Sequence, residues 1–109
     1  MSNGNRPSKK TDEQLFTLLD RSIANGDYVF KHHARQRQVD RAISDLDVLD
    51  ILEGKPNRER HRNKKKDIYV FPNEEWNYCI EGKDLDEGKI RIVISFENHF
   101  IPIITVMRI

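Results

Sequence analysis

A chain of 109 residues is the length of one ordinary domain, enough for a single packed core and too short for two. Apolar residues make up 37% and charged residues 34%, and the lone cysteine, Cys79, has no intramolecular partner, so disulfide staples are excluded and a reducing compartment fits best. The formal net charge of +1 hides an uneven layout: 15 Lys/Arg against 10 Asp/Glu up to Lys66, then 4 against 8 from Asp67 onward. A dipolar chain of this kind suits a polyanion on one face, and it fits ordinary surface charge as well.

Residues 1–10 are polar and basic, with no apolar stretch behind them. They read as a flexible arm without a signal peptide, and no segment reaches membrane-spanning length, so a cytoplasmic protein is expected. A single α+β domain over residues 11–109 follows. Thr11-Asp12-Glu13-Gln14 has the form of a capping box, Leu15, Leu18, Leu19 and Ile23 recur at helical spacing, and Asn25-Gly26 supplies a stop. Tyr28-Val29-Phe30 is an extended connector or a short strand. The stretch from His32 to Arg41 has good helix formers and few apolar residues, which predicts a mostly exposed second helix with Ala34 and Val39 inward. In Ile43-Ser44-Asp45-Leu46-Asp47-Val48, Ser44 is the N-cap and Ile43 staples against Val48; the third helix runs to Glu53 and ends at Gly54 and Pro56.

The run from Arg58 to Lys66 holds six Lys/Arg, one Glu and one His without apolar periodicity, and reads as a loop or a solvated strand edge. From Asp67 the period becomes two. Strands are expected at Ile68–Phe71, Trp76–Ile80, Ile90–Phe96 and Ile101–Ile109, separated by Pro72-Asn73, Gly82 to Gly88 and Glu97-Asn98-His99. That pattern predicts two to three N-terminal helices packed on a four-stranded antiparallel meander. In the third strand Ile90, Ile92, Ile94 and Phe96 point one way and Arg91, Val93 and Ser95 the other; Pro102 belongs at a strand start or an edge.

On a helix, His33, Arg37 and Arg41 recur every four residues and line one stripe. Stacked cationic groups repel unless an anion lies opposite. A phosphate chain could fill that place, with Arg contacts orienting it and His exchanging protons; Asp45, Asp47 or sheet carboxylates could equally neutralise the stripe. The pattern His-Ala-x-x-Arg-x-x-x-Arg-x-Ile-Ser, here His33 to Ser44, followed by an Asp-Val helix and Gly54, resembles a family of small uncharacterised domains grouped with the RelE/ParE-like toxins. Ile90 to Ser95 and Ile103-Ile104-Thr105 also fit, so the likeness spans roughly residues 28–107. The leading helix is similar in arrangement to that of MqsR-type toxins.

The resemblance implies a RelE-like fold used as an mRNA-cleaving toxin held by a small antitoxin protein. Cleavage would need no metal or other cofactor: the ribose 2′-hydroxyl attacks the adjacent phosphate, a base takes its proton, and cations hold the phosphate. The signature positions would then make His33 the proton-transfer group and Arg37 and Arg41 phosphate clamps, with Arg91 as a further phosphate candidate or a plain surface residue. Arg58, Arg60, Arg62, Lys64, Lys65 and Lys66 would contact RNA phosphates, on the ribosome or free, or form a solvated loop. Tyr69, Trp76 and Tyr78 could stack on bases, although strand aromatics more often belong to the core. His32, His33, His61 and His99 lack metal-ligand spacing, and Cys79 reads as a buried structural thiol. The competing expectation is a non-catalytic nucleic-acid- or protein-binding module of the same fold.

Overall fold

The structure, a computed structural model, describes residues 8–54, 59–70, 75–98 and 100–109. Residues 1–7 of the expected arm, and the expectations placed on Pro56, Arg58, Phe71, Pro72-Asn73 and His99, lie outside the described residues. The first helix, α1 (Asp12–Ala24), begins at the capping box read from the sequence: Gln14 N donates to Thr11 Oγ1 and Thr11 N donates to Gln14 Oε1. Leu15, Leu19 and Ile23 form its buried side. A second helix, α2 (His32–Arg41), follows the short strand β1 (Tyr28–Phe30) and buries Ala34 and Gln38; Val39, expected inward, is 83% exposed. The reason is polar. Gln38 Nε2 donates to the carbonyl of Ile43 and to Asp45, tying α2 to the third helix, α3 (Asp45–Glu53). Ser44 caps α3 by accepting from Asp47 N, and Gly54 ends it in the left-handed region at φ 71°.

The sheet departs from the expected four-stranded meander. Among the described residues it has six strands: β1, β2 (Arg60–Arg62), β3 (Ile68–Val70), β4 (Glu75–Lys83), β5 (Lys89–Ile94) and β6 (Ile101–Arg108). The order is β1-β6-β5-β4-β2, with β3 also pairing with β4. β1 pairs with β6 in parallel and every other pairing is antiparallel, so the sheet is mixed. The two strands that escaped the period-two reading, β1 and β2, are only three residues long, and β2 is polar throughout. A strand of alternating Arg-His-Arg carries no hydrophobic signal at all.

The alternation in β5 does hold. Ile90, Ile92 and Ile94 are fully buried and pair across to Gly82, Ile80 and Tyr78 on β4, and all three helices cover this face. At Gly82 a side chain has no room, because a Cβ there would lie 2.4 Å from the Glu59 carbonyl oxygen and 2.8 Å from Ile51. No helix of the described residues is long and apolar enough to cross a membrane.

The basic run does not form one solvated surface. Arg62, expected exposed, has a side chain 1% accessible and pairs at 2.8 Å with Asp67, whose side chain is fully buried. The same guanidinium donates to Asp12 and to the Lys10 carbonyl and lies over the Tyr78 ring. Arg60 stacks on Phe16 and donates to Asp20 and to the Leu52 carbonyl. Removing one member of a buried pair strands the other. Arg62→Met should therefore lower unfolding free energy by about 3–5 kcal/mol in urea titrations, whereas Lys65→Ala, in the same run but exposed, should change it by no more than about 0.5 kcal/mol.

Candidate functional site

On the face of the sheet opposite the helices, strand alternation decides which side chains are carried, and Cys79 and Glu81 there are buried while His61 at the β2 edge is exposed. Cys79, Glu81 and Lys83 on β4 lie opposite Val93, Arg91 and Lys89 on β5, and His61 on β2 lies opposite Glu81. Glu81 is the hub. Its Oε2 accepts from Arg91 Nε at 2.8 Å and from Asn63 Nδ2 at 3.1 Å, while Oε1 stands 3.3 Å from His61 Nε2. Burial raises the Glu81 pKa, but the Arg91, Asn63 and His61 contacts outweigh it and hold the carboxyl below the usual glutamate range. Arg91 is held charged, its pKa raised by the same bond to Glu81.

His61 is more than half exposed, and with Nε2 on Glu81 its Nδ1 has no partner among the described residues. Beside it opens a cavity of about 330 Å³ lined by Glu59, His61, Glu81, Gly82, Lys83, Lys89 and Ile109. Lys83 and Lys89 stand directly opposite each other at its rim. Like charges in that position oppose pairing. Lys83 is partly offset by Glu59 at 3.7 Å and Glu87 at 3.6 Å; Lys89 has no ion pair among the described residues. The arrangement can bind an anion at the lysines while His61 exchanges a proton and Glu81 stabilises its cation.

The residues singled out from the sequence are not brought together. His33, Arg37 and Arg41 do share a stripe on α2, without side-chain partners among the described residues, and Asp45, expected as a neutralising group, instead binds Arg35 and Gln38. Arg91 lies on the far side of the sheet from them. Arg60 and Arg62 point under α1, Lys64 pairs with Asp12 at 3.5 Å, and Lys65 and Lys66 are exposed. Tyr78 is buried and Trp76 packs against the core with its edge toward Tyr69, as strand aromatics were expected to do. Glu81, Lys83 and Lys89 escape the sequence reading because it ends the second expected strand, β4 here, at Ile80, and Asn63 because it lies in the basic run read as a loop or strand edge. Continuing the alternation of β4 through Glu81 and Lys83, against Lys89 and Arg91, is the signal that would have found the first three.

Among the described residues no three His, Cys, Asp or Glu side chains are grouped to hold a metal ion. Cys79 is fully buried, as expected, and burial together with the Glu81 charge pushes its thiol up to about 11.

Fold and site define a small α+β domain with a histidine–carboxylate–arginine network on an open sheet face. Residues 30–108 match the model of a family described as a domain of unknown function (DUF4258), and the chain belongs to that family. α1 precedes the matched span. No curated protein matches the chain.

Two measurements check this electrostatic picture. Cys79 should not react with a disulfide reagent at pH 8 in the native protein and should react fully in denaturant. A carboxyl with a lowered folded pKa gives stability that is present above its unfolded value and lost as pH falls through the folded one. Glu81→Gln should therefore flatten the fall in melting temperature below the ordinary glutamate range, near pH 4 and lower.

Proposed function

We propose that the chain is a toxin-type endoribonuclease that cleaves mRNA by 2′-hydroxyl attack without a metal, with its chemistry on the open sheet face and a small antitoxin as its partner. The observation that carries this reading is the pocket where the His61–Glu81 pair meets the opposed lysines Lys83 and Lys89. An RNA phosphate seated between the lysines would relieve their repulsion. His61 Nδ1 would take the 2′-hydroxyl proton, Glu81 would stabilise the imidazolium, and Arg91 would keep Glu81 ionised. The bond from phosphorus to the 5′-oxygen then breaks, that oxygen takes a proton from water at the open pocket, and a 2′,3′-cyclic phosphate and a 5′-hydroxyl remain. The toxin and antitoxin parts rest on the resemblance of His33 to Ser44 to the RelE/ParE-like group.

A second reading is favoured by one feature of the same site. Both oxygens of Glu81 are already engaged, by Arg91, Asn63 and His61, as in a network that only holds a sheet together. On that reading the domain binds nucleic acid or protein without catalysis. Incubation with RNA in EDTA separates the two. Nuclease action should give cyclic-phosphate ends, and His61→Ala should slow cleavage about 10²–10⁴-fold. RNA that stays intact at high protein concentration, or equal cleavage by His61→Ala, would sink the catalytic reading and leave the binding module.

A further inference from the structure

The stripe on α2 is left over from this assignment, and its surroundings define a separate task for it. Ala34 and Gln38 face the core, which turns His33, Arg37 and Arg41 to the flank of the helix at successive steps of about 6 Å. Arg35, the other arginine of α2, is engaged internally: it lies over the Phe30 ring and binds Asp45 and Gln38. Arg37 and Arg41 are not, and Asp40 is the sole carboxylate of the helix. The C-terminal end of α2 is also held still. Arg108 donates to the carbonyls of Arg41 and Ala42 and is anchored at 2.7 Å to Asp84, across a cap where Ala42 takes the left-handed φ of 53°. Cations are thus presented in a row on a fixed helix, with Asp40 as the one counter-charge that the helix itself carries.

The geometry points to a docking surface for the phosphate backbone of a nucleic acid along His33, Arg37 and Arg41, distinct from the sheet pocket. The choice of nucleic acid over protein comes from what the flank lacks. Protein interfaces are anchored by buried aromatic or aliphatic groups; Gln36 and Asp40, which border the stripe on its solvent side, are polar, and the exposed Val39 lies on another face of the helix. Arginine forks match phosphate oxygens bidentately, and a spacing of one helical step suits neighbouring phosphates of one strand. Contacts of this type position a ligand without reading its sequence. The surface lies on the helical side of the sheet, so it would hold a structured region of a long RNA while the opposite face meets a single-stranded stretch. It builds on the nuclease reading for its ligand and not for its geometry.

The test uses a fluorescein-labelled 2′-O-methyl RNA stem-loop, which cannot be cleaved by 2′-hydroxyl attack, so binding is measured whether or not the protein is a nuclease. Anisotropy titrations at several KCl concentrations should give a steep salt dependence for the wild-type chain. In Arg37→Gln/Arg41→Gln the affinity at low salt should drop at least about tenfold and the slope of log K against log [KCl] should shrink by about 1.5. Arg37→Lys/Arg41→Lys should recover most of the slope. Absence of binding, an unchanged slope in the double glutamine variant, or equal competition by poly-glutamate of matched charge would overturn the assignment.

Discussion

The pair between Arg62 and Asp67 is the contact around which the N-terminal segment and the far edge of the sheet are assembled. Both side chains are out of water, and each makes further bonds that leave little unsatisfied: Asp67 accepts from the backbone of Cys79 as well as from Arg62, and Arg62 reaches the Lys10 carbonyl and Asp12. One ion pair thereby joins the start of α1, β2, the approach to β3 and the middle of β4. Arg60, two residues earlier and on the same face of β2, repeats the device with Phe16, Asp20 and the Leu52 carbonyl. The two arginines are neutralised by α1, whose carboxylates Asp12 and Asp20 lie on the side facing them.

A consequence follows for the residue between them. In a strand the side chains at positions 60 and 62 share a face and position 61 takes the other, so pinning Arg60 and Arg62 beneath α1 forces His61 onto the open face beside Glu81. The structural use of the arginines is what delivers the histidine. Arg60 and Arg62 of the apparent basic patch are spent in building the scaffold, and the cations on the open face include Lys83, Lys89 and Arg91 from a different part of the chain.

Much of the fold was legible from local rules. The capping box of α1, the Ser44 cap, the Gly54 stop and the buried isoleucines of β5 all stand where residue type and spacing placed them, because each depends on neighbours within a few residues. The failures share one cause. Val39 turned outward because a buried Gln38 found partners in Ile43 and Asp45, and β2 formed from Arg-His-Arg because distant carboxylates received its arginines. Buried polar groups follow their long-range partners rather than hydropathy. The candidate site suffered for the same reason: the α2 stripe is visible in one helix, whereas His61, Glu81 and Lys89 come from three strands and meet only once register is set.

The two exposed cationic surfaces differ in what a ligand would find. On the open face the cations sit among carboxylates, with Glu81, Glu59 and Glu87 within ion-pairing distance of Arg91 and Lys83. A bound anion there must compete with fixed negative charge, which makes for weak ground-state binding and leaves room for stronger interaction as charge develops during a reaction. On α2 the only carboxylate of the helix is Asp40, and the helix end is held by Arg108 and Asp84; the Arg108 bond and backbone donation from Gly88 hold the Asp84 carboxyl below the usual aspartate range. The proposed catalytic pocket and the proposed docking row stand on opposite faces of the sheet, an arrangement that would let each be tuned without weakening the other.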